Sequence, residues 1–232
     1  MPHPVDGGDA PPPAVRDPAA LVRLLQMHDS QFPTGAFAHS NGLETYAQDE
    51  IEADDLRDLL GAQLAFGWGR LDLSGWVQAW NDPDVQALDR LGAAMSAWKP
   101  IPGLRSSSLR MGARTAKLLA RLWPELEDLR GLAHPHHAIV AGAAGRRVGL
   151  PLHDGVLAFA YATLGSSLNA ATRCMPLSPE RAQEIAVELT PAVVRAATRA
   201  ADDPTGSFWS AVPGADLAAH GQALLTTRLF QS

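Results

Sequence analysis

The chain has 232 residues, of which 46% are hydrophobic and 19% are charged, which is enough for a sizeable buried core. Nineteen basic and twenty-five acidic residues give a net charge of −6, which argues against a protein that attracts nucleic acid electrostatically. The single cysteine, Cys174, excludes an intrachain disulfide, and the absence of a Gly-Lys pair argues against a P-loop nucleotidase.

Residues 1–17 are rich in proline and glycine and contain few side chains that a core could bury. We expect them to form a disordered leader, followed by a single all-α domain over residues 18–232. The leader lacks the basic stretch and apolar run of a signal peptide, and the most apolar segment, VLAFAYATLG, is too short to cross a bilayer. We therefore expect a cytoplasmic protein.

Helical periodicity accounts for most of the chain after the leader. The first helix is expected to begin at Asp17-Pro18, an N-cap residue followed by proline. One segment, 154–173, is apolar on almost every side, which is typical of a central helix surrounded by others. No run alternates apolar and polar residues as a strand would, so we predict an all-α fold, a compact helical bundle of about eight to ten helices. The other expected helices are 54–80 (long or broken), 83–98, 107–122, 135–149, one from Ser178 that Pro191 kinks or restarts, and 214–230.

Residues 31–44, QFPTGAFAHSNGLE, combine apolar side chains with helix-breaking residues and carry His39, Ser40 and Glu44. A serine nucleophile commonly lies on a Gly-x-Ser-x-Gly elbow, and the run Ala-His-Ser-Asn-Gly does not match it. We interpret the stretch as a sharp turn between two helices, in which Gly35 permits a backbone conformation that other residues resist. Glu44 is then a capping partner for this turn rather than a catalytic acid.

The motif HPHH at residues 134–137 is the densest group of potential metal ligands in the sequence. His134 and His137 are three residues apart, could share a helical face, and imidazole suits nickel, copper or zinc. No cysteine or suitably spaced carboxylate accompanies these histidines and His136. Two interpretations stay open, a solvated or capping role and a metal site.

A row of basic residues follows one face of the helix expected at 107–122. Spacings of four, three and four residues place them within a strip of roughly 60° on the helix surface. Such a row is either an ordinary solvated face or a docking stripe for an acidic partner. The row consists of Arg110, Arg114, Lys117 and Arg121.

Three separated segments resemble the urease accessory protein UreF family. Residues 24–44, LLQMHDSQFPTGAFAHSNGLE, resemble its N-terminal signature, in which a Leu-Leu-Gln helix leads through a Phe/Leu-Pro-x-Gly-x-Phe turn into a Ser-x-Gly-Leu-Glu helix. Residues 136–183 resemble its middle block, a His-initiated helix, the central helix and an Arg-x-x-Pro-Leu segment. The ending TTRLFQS is similar to the family's Arg-Leu-Phe-x-Ser terminus.

The resemblance implies a non-catalytic all-α chaperone that has no catalytic residues or cofactor of its own. UreF-like proteins form dimers and act with UreD (UreH in some species) and the GTPase UreG to deliver nickel into apo-urease. The alternative is a nickel-binding metallochaperone that uses His134, His136 and His137. A third hypothesis is a helical enzyme centred on His39 and Ser40.

For a scaffold, the candidate partner-binding residues are those of the basic row, His39 and Glu44 in the turn, and the C-terminal segment. A tail with Leu229 and Phe230 gains apolar burial on docking, and Arg228 could bind a carboxylate through two hydrogen bonds. The other interpretation of the tail is that it packs on its own domain.

Overall fold

The computed structural model describes residues 17–49, 51–226 and 229–230. Within these residues the chain forms ten α-helices and no β-strand, so the all-α prediction is confirmed. The expected leader lies, apart from Asp17, outside the described residues. The helices are α1 Pro18–Met27, α2 Leu43–Gln48, α3 Ala53–Phe66, α4 Trp68–Asn81, α5 Val85–Trp98, α6 Pro102–Leu122, α7 His137–Arg147, α8 Leu152–Cys174, α9 Pro179–Asp202 and α10 Pro213–Gly221.

Side-chain caps fix several helix starts. The Asp17 carboxylate accepts a hydrogen bond from the backbone N–H of Ala19 at 3.0 Å, and the Ser178 hydroxyl accepts one from Arg181 N–H at 3.1 Å. Each cap satisfies a backbone donor that the first helical turn leaves without a partner. Both starts that the sequence predicts are therefore confirmed.

The two long helical segments in the sequence behave differently. The segment 54–80 is broken, because Gly67 leaves the helical conformation between α3 and α4. A Cβ on Gly69, in the first turn of α4, would lie 2.2 Å from the carbonyl oxygen of Leu64, so only glycine fits this close approach. By contrast, α9 continues through Pro191 as one helix.

The core is centred on α7 rather than on α8. All residues of α7 from 138 to 145 are buried, and a Cβ on Gly142 would lie 2.1 Å from the carbonyl oxygen of Trp76 in α4. The prediction that 154–173 is surrounded on all sides is wrong, because Tyr161 is 56% exposed on the outer face of α8. Small residues let α4 and α7 approach closely, and this places the two helices at the centre of the bundle.

Candidate partner-binding surface

The turn between α1 and α2 depends on two glycines in the left-handed backbone region. Gly35 has a φ of 87° and Gly42 a φ of 93°, which other residues rarely adopt. Gly35 precedes a 3-10 turn at Ala36–Ala38, and Gly42 immediately precedes α2. A Cβ on Gly42 would lie 2.9 Å from the backbone nitrogen of Ala219, so the turn packs directly on α10. The predicted sharp turn and the role of Gly35 in it are confirmed.

The same turn contacts α6 and brings three of the candidate residues together. A Cβ on Gly35 would lie 2.5 Å from Nη1 of Arg114, so this guanidinium lies over the glycine. Burial of His39, and after it the positive charges of Arg110 and Arg114, lower the pKa of the His39 imidazole to about 4. His39 is therefore a neutral, buried residue next to the start of the basic row.

Arg110, Arg114, Lys117 and Arg121, which we call the basic ridge, are all exposed on α6. The helix contains five basic residues and no acidic one. Among the described residues, no carboxylate forms an ion pair with any member of the ridge. The predicted row thus exists as a strip of cations that form no ion pair with the part of the chain that the structure describes.

Glu44 holds the C-terminal segment rather than capping the turn. Its carboxylate is buried and accepts hydrogen bonds from the backbone N–H groups of Leu229 and Phe230. It also accepts one from Nε2 of Gln222 at 2.8 Å, and Oε1 of Gln222 accepts one from the N–H of Gly42 at 2.9 Å. The expectation of a local capping role is corrected, because the donors come from the end of the chain.

The two described residues of the tail differ in their exposure. Phe230 is 4% exposed, and the guanidinium of Arg173 lies 4.5 Å from the centre of its ring. Leu229, immediately before it, is 62% exposed. Phe230 therefore packs on its own domain, while Leu229 presents an apolar side chain to the outside. The candidate Arg228 lies outside the described residues.

A cleft of about 610 Å³ runs between the turn, α6 and α8. On the side of the turn its wall includes Thr34 and His39, and on the side of α6 it includes Met111 and Thr115. The Thr115 hydroxyl is buried and has no hydrogen-bond partner in the described structure. The cleft combines polar and apolar side chains, as binding sites generally do.

Sequence reasoning missed four residues of this cleft. Lys99 and Asp72, from different segments, form a largely buried ion pair in its wall, with Nζ and Oδ2 2.7 Å apart. Trp98 and Tyr161 also line the cleft and are exposed. No spacing rule links these parts of the chain, since Asp72 lies in α4, Trp98 and Lys99 lie at the end of α5, and Tyr161 lies in α8. The sequence carries no signal for them, because helix packing decides which aromatic side chains stay exposed.

Comparison with known proteins assigns this helical bundle to a family. A family model described as UreF matches residues 51–190. The chain is 31% identical to the urease accessory protein UreF of Rhodopseudomonas palustris (strain BisB5), and the match covers 96% of each protein. The chain belongs to the UreF family.

Two further UreF proteins show the same relationship. The urease accessory protein UreF of Mycolicibacterium vanbaalenii is 33% identical over 80% of this chain and 87% of its own length. That of Chromohalobacter salexigens is 30% identical over 95% of this chain and 98% of its own. The family resemblance drawn from three segments of the sequence is thereby confirmed. These UreF relatives are named as accessory proteins rather than as enzymes.

The side chains of His136 and His137, in the motif at residues 134–137, have separate contacts. The buried His136 ring hydrogen-bonds through Nε2 with Ser96 Oγ at 2.8 Å and through Nδ1 with Ser108 Oγ at 2.9 Å. The His137 ring instead packs against Phe159, with ring centres 5.3 Å apart. In the part of the chain that the structure describes, no three or more His, Cys, Asp or Glu side chains are grouped so that they could hold a metal ion.

Burial also lowers the pKa values of His136 and His137, so both imidazoles are neutral. For His136 the main cause is desolvation, followed by the charge of Lys99, and for His137 it is desolvation followed by His28. Each pKa falls to about 4.

None of the helices in the described residues has the length and hydropathy of a transmembrane segment.

Proposed function

We propose that this protein is a non-catalytic scaffold in the maturation of the urease nickel centre. In this role it bridges a UreD/UreH-type protein and the GTPase UreG in the cytoplasm, and so modulates GTP-dependent nickel insertion into apo-urease. The observation that carries the proposal is the similarity, over nearly the whole chain, to proteins named urease accessory protein UreF. The reaction chemistry then belongs to the partners.

The proposal is supported by contacts that link several of the candidate residues. The turn at residues 34–41 contacts α6 through Gly35, and it leads directly into α2, where Glu44 binds the tail. The turn with α2 is therefore contacted by the basic ridge at Arg114 and by the tail at the exposed Leu229. Two partners, or a partner and a second copy of this chain in a homodimer, could use the ridge and the tail.

The test is copurification with the UreD-type and UreG-type proteins of the same source, together with urease activity in a strain that lacks this gene. We expect the wild-type chain to retain at least one partner and to restore urease activity and the nickel content of urease. Retention of neither partner, with full urease activity in the deletion strain, would overturn the proposal.

A further inference from the structure

The basic ridge differs from the other clusters of charge on this protein. Several cations elsewhere on the surface pair with carboxylates on the same or a neighbouring element, namely Arg57, Arg130, Arg147 and Arg181, whereas the exposed Arg90 and Arg195 are single cations that belong to no row. The ridge lies on a helix with no acidic residue, in a chain whose net charge is −6. Like charges in a row repel one another, which raises the free energy of the folded protein. Opposite charges on a partner would relieve this repulsion.

The ridge is continuous with the wall of the cleft. Arg114 lies over Gly35 in the turn, and the next residues of the turn, Ala36 and His39, line the cleft. The neighbouring face of α6 forms the opposite wall through residues such as Met111. A molecule seated in the cleft would therefore lie beside the ridge.

Exposed aromatic side chains add an apolar component to this surface. Trp98 at the end of α5 is 46% exposed, and both it and Tyr161 line the cleft. Tryptophan and tyrosine are the residue types that contribute most to binding at protein interfaces when a partner buries them. The cleft thus offers apolar contacts and the ridge offers charge.

We propose that the cleft and the basic ridge together bind an acidic, amphipathic helix of a protein partner. Its apolar side chains enter the cleft, and its carboxylates pair with Arg110, Arg114 and Lys117. The ridge extends over three helical turns, about 16 Å, so a partner helix with carboxylates at the same spacings matches it. This inference names the chemistry of one partner contact within the proposed function and rests on that function.

The narrowness of the ridge favours a protein over a nucleic acid. A nucleic-acid site needs a broad basic footprint, and here a single row of cations lies next to an apolar cleft on an acidic protein. A duplex would leave the exposed Trp98 and Tyr161 without a role, whereas the apolar face of a helix would cover them.

The test uses a fluorescently labelled synthetic helix with glutamates spaced to match the ridge and leucines on the adjoining face. Arg110→Glu/Arg114→Glu should weaken its binding to the full-length protein by about tenfold or more, because two attractions become repulsions. The matched control is Arg90→Glu/Arg195→Glu, which changes the net charge equally at two other exposed sites. This control should shift the affinity by no more than about twofold.

Thermal unfolding shows whether each variant folds. A second variant, Lys117→Glu/Arg121→Glu, reverses the half of the ridge that lies away from the turn, so it tests the ridge without changing the Arg114 contact with Gly35. It should also weaken peptide binding, and a version of the peptide with glutamine for glutamate should bind poorly to the wild type. Equal loss in the ridge and control variants overturns the inference. So does binding of duplex DNA or anionic vesicles that depends on the ridge while peptide binding does not.

Copurification separates a failure of this inference from a failure of the proposed function. If the wild type and the ridge variants retain the same urease-maturation partners equally, the inference is wrong and the function stands. If the wild type retains no partner, the function is wrong, and the peptide titration still decides whether the ridge and cleft bind an acidic helix.

Discussion

At the scale of single residues, Glu44 shows how a sequence motif acquires its role from distant parts of the chain. It is the second residue of the Leu-Glu pair that follows Gly42, and local rules assign it to the helix start. Its carboxylate instead accepts hydrogen bonds from Gln222, Leu229 and Phe230, at the far end of the sequence. A buried carboxylate with several donors is stable only while all of them stay in place.

Glu44→Gln should lower the free energy of unfolding by about 1–3 kcal/mol, because the amide NH₂ faces donors that need an acceptor. Urea denaturation measures this loss, and faster hydrogen exchange at the Leu229 and Phe230 amides should accompany it. The exposed Glu125→Gln is the control and should change stability by less than about 0.5 kcal/mol. Equal effects of the two substitutions would contradict the assigned role of Glu44.

Because burial keeps several histidines neutral, we expect the free energy of unfolding to fall in mild acid. The pKa values of His39, His136 and His137 are lowered to about 4 in the folded protein, whereas an unfolded histidine has a pKa of about 6.5. Between these values the unfolded chain binds more protons, so the free energy of unfolding falls as the pH falls. Each histidine contributes a slope of up to about 1.4 kcal/mol per pH unit.

Urea denaturation from pH 7 to pH 4 measures the slope. His136→Asn should make it shallower, because one of the groups that titrates on unfolding is removed. The exposed His153→Asn should leave the slope as in the wild type. An unchanged slope in the His136 variant would show that this histidine is not held neutral by burial.

At the scale of elements, small residues decide which helices come close together. Gly142 lets α7 approach the backbone of α4 at Trp76, and this contact forms the centre of the bundle. The sequence pattern points instead to α8, because that helix has more large apolar residues. A row of alanines and glycines carries little hydrophobic signal, yet it allows the closest packing of two helices.

Gly142→Ala should lower the free energy of unfolding by about 1–3 kcal/mol, because its Cβ would overlap the Trp76 carbonyl oxygen. Gly165→Ala in α8 is the matched control, since a Cβ there has no neighbour within 4 Å. Alanine favours a helix over glycine, so this control should raise stability by up to about 1 kcal/mol. Chemical denaturation compares the two, and the same sign for both would refute the packing explanation.

At the scale of the whole molecule, the end of the chain closes onto its first turn. Phe230 is buried beneath Arg173 at the end of α8, and the adjacent Leu229 is exposed. Packing on its own domain is therefore the correct interpretation for Phe230, while docking on a partner stays a prediction for Leu229. Deleting the tail would remove Leu229 and Phe230 together, so single substitutions are needed to separate an effect on partner binding from an effect on stability.

Leu229→Ala should leave the free energy of unfolding within about 0.5 kcal/mol of the wild type, because the side chain is exposed. We expect it to weaken copurification with the UreD-type partner. Phe230→Ala is the comparison, and it should destabilise the fold by about 3 kcal/mol through lost burial. Full partner retention by a folded Leu229→Ala protein would remove Leu229 from the partner surface.

The amino-acid sequence by itself determined the all-α class, most helix starts, the sharp turn at Gly35 and the UreF family. These features depend on local chemistry or on ordered motifs: capping side chains, helical periodicity and the left-handed freedom of glycine act within a few residues. The basic ridge was also predictable, because its members share one helix.

Only the tertiary structure decided which of these features meet. The contact of Gly35 with Arg114, the binding of the tail by Glu44 and the Lys99–Asp72 pair all join residues far apart in sequence. Such contacts depend on how the helices pack, and many packings are compatible with the same apolar stripes. The histidines at 134–137 illustrate this, since packing places His136 between two serines and turns the His137 ring onto Phe159.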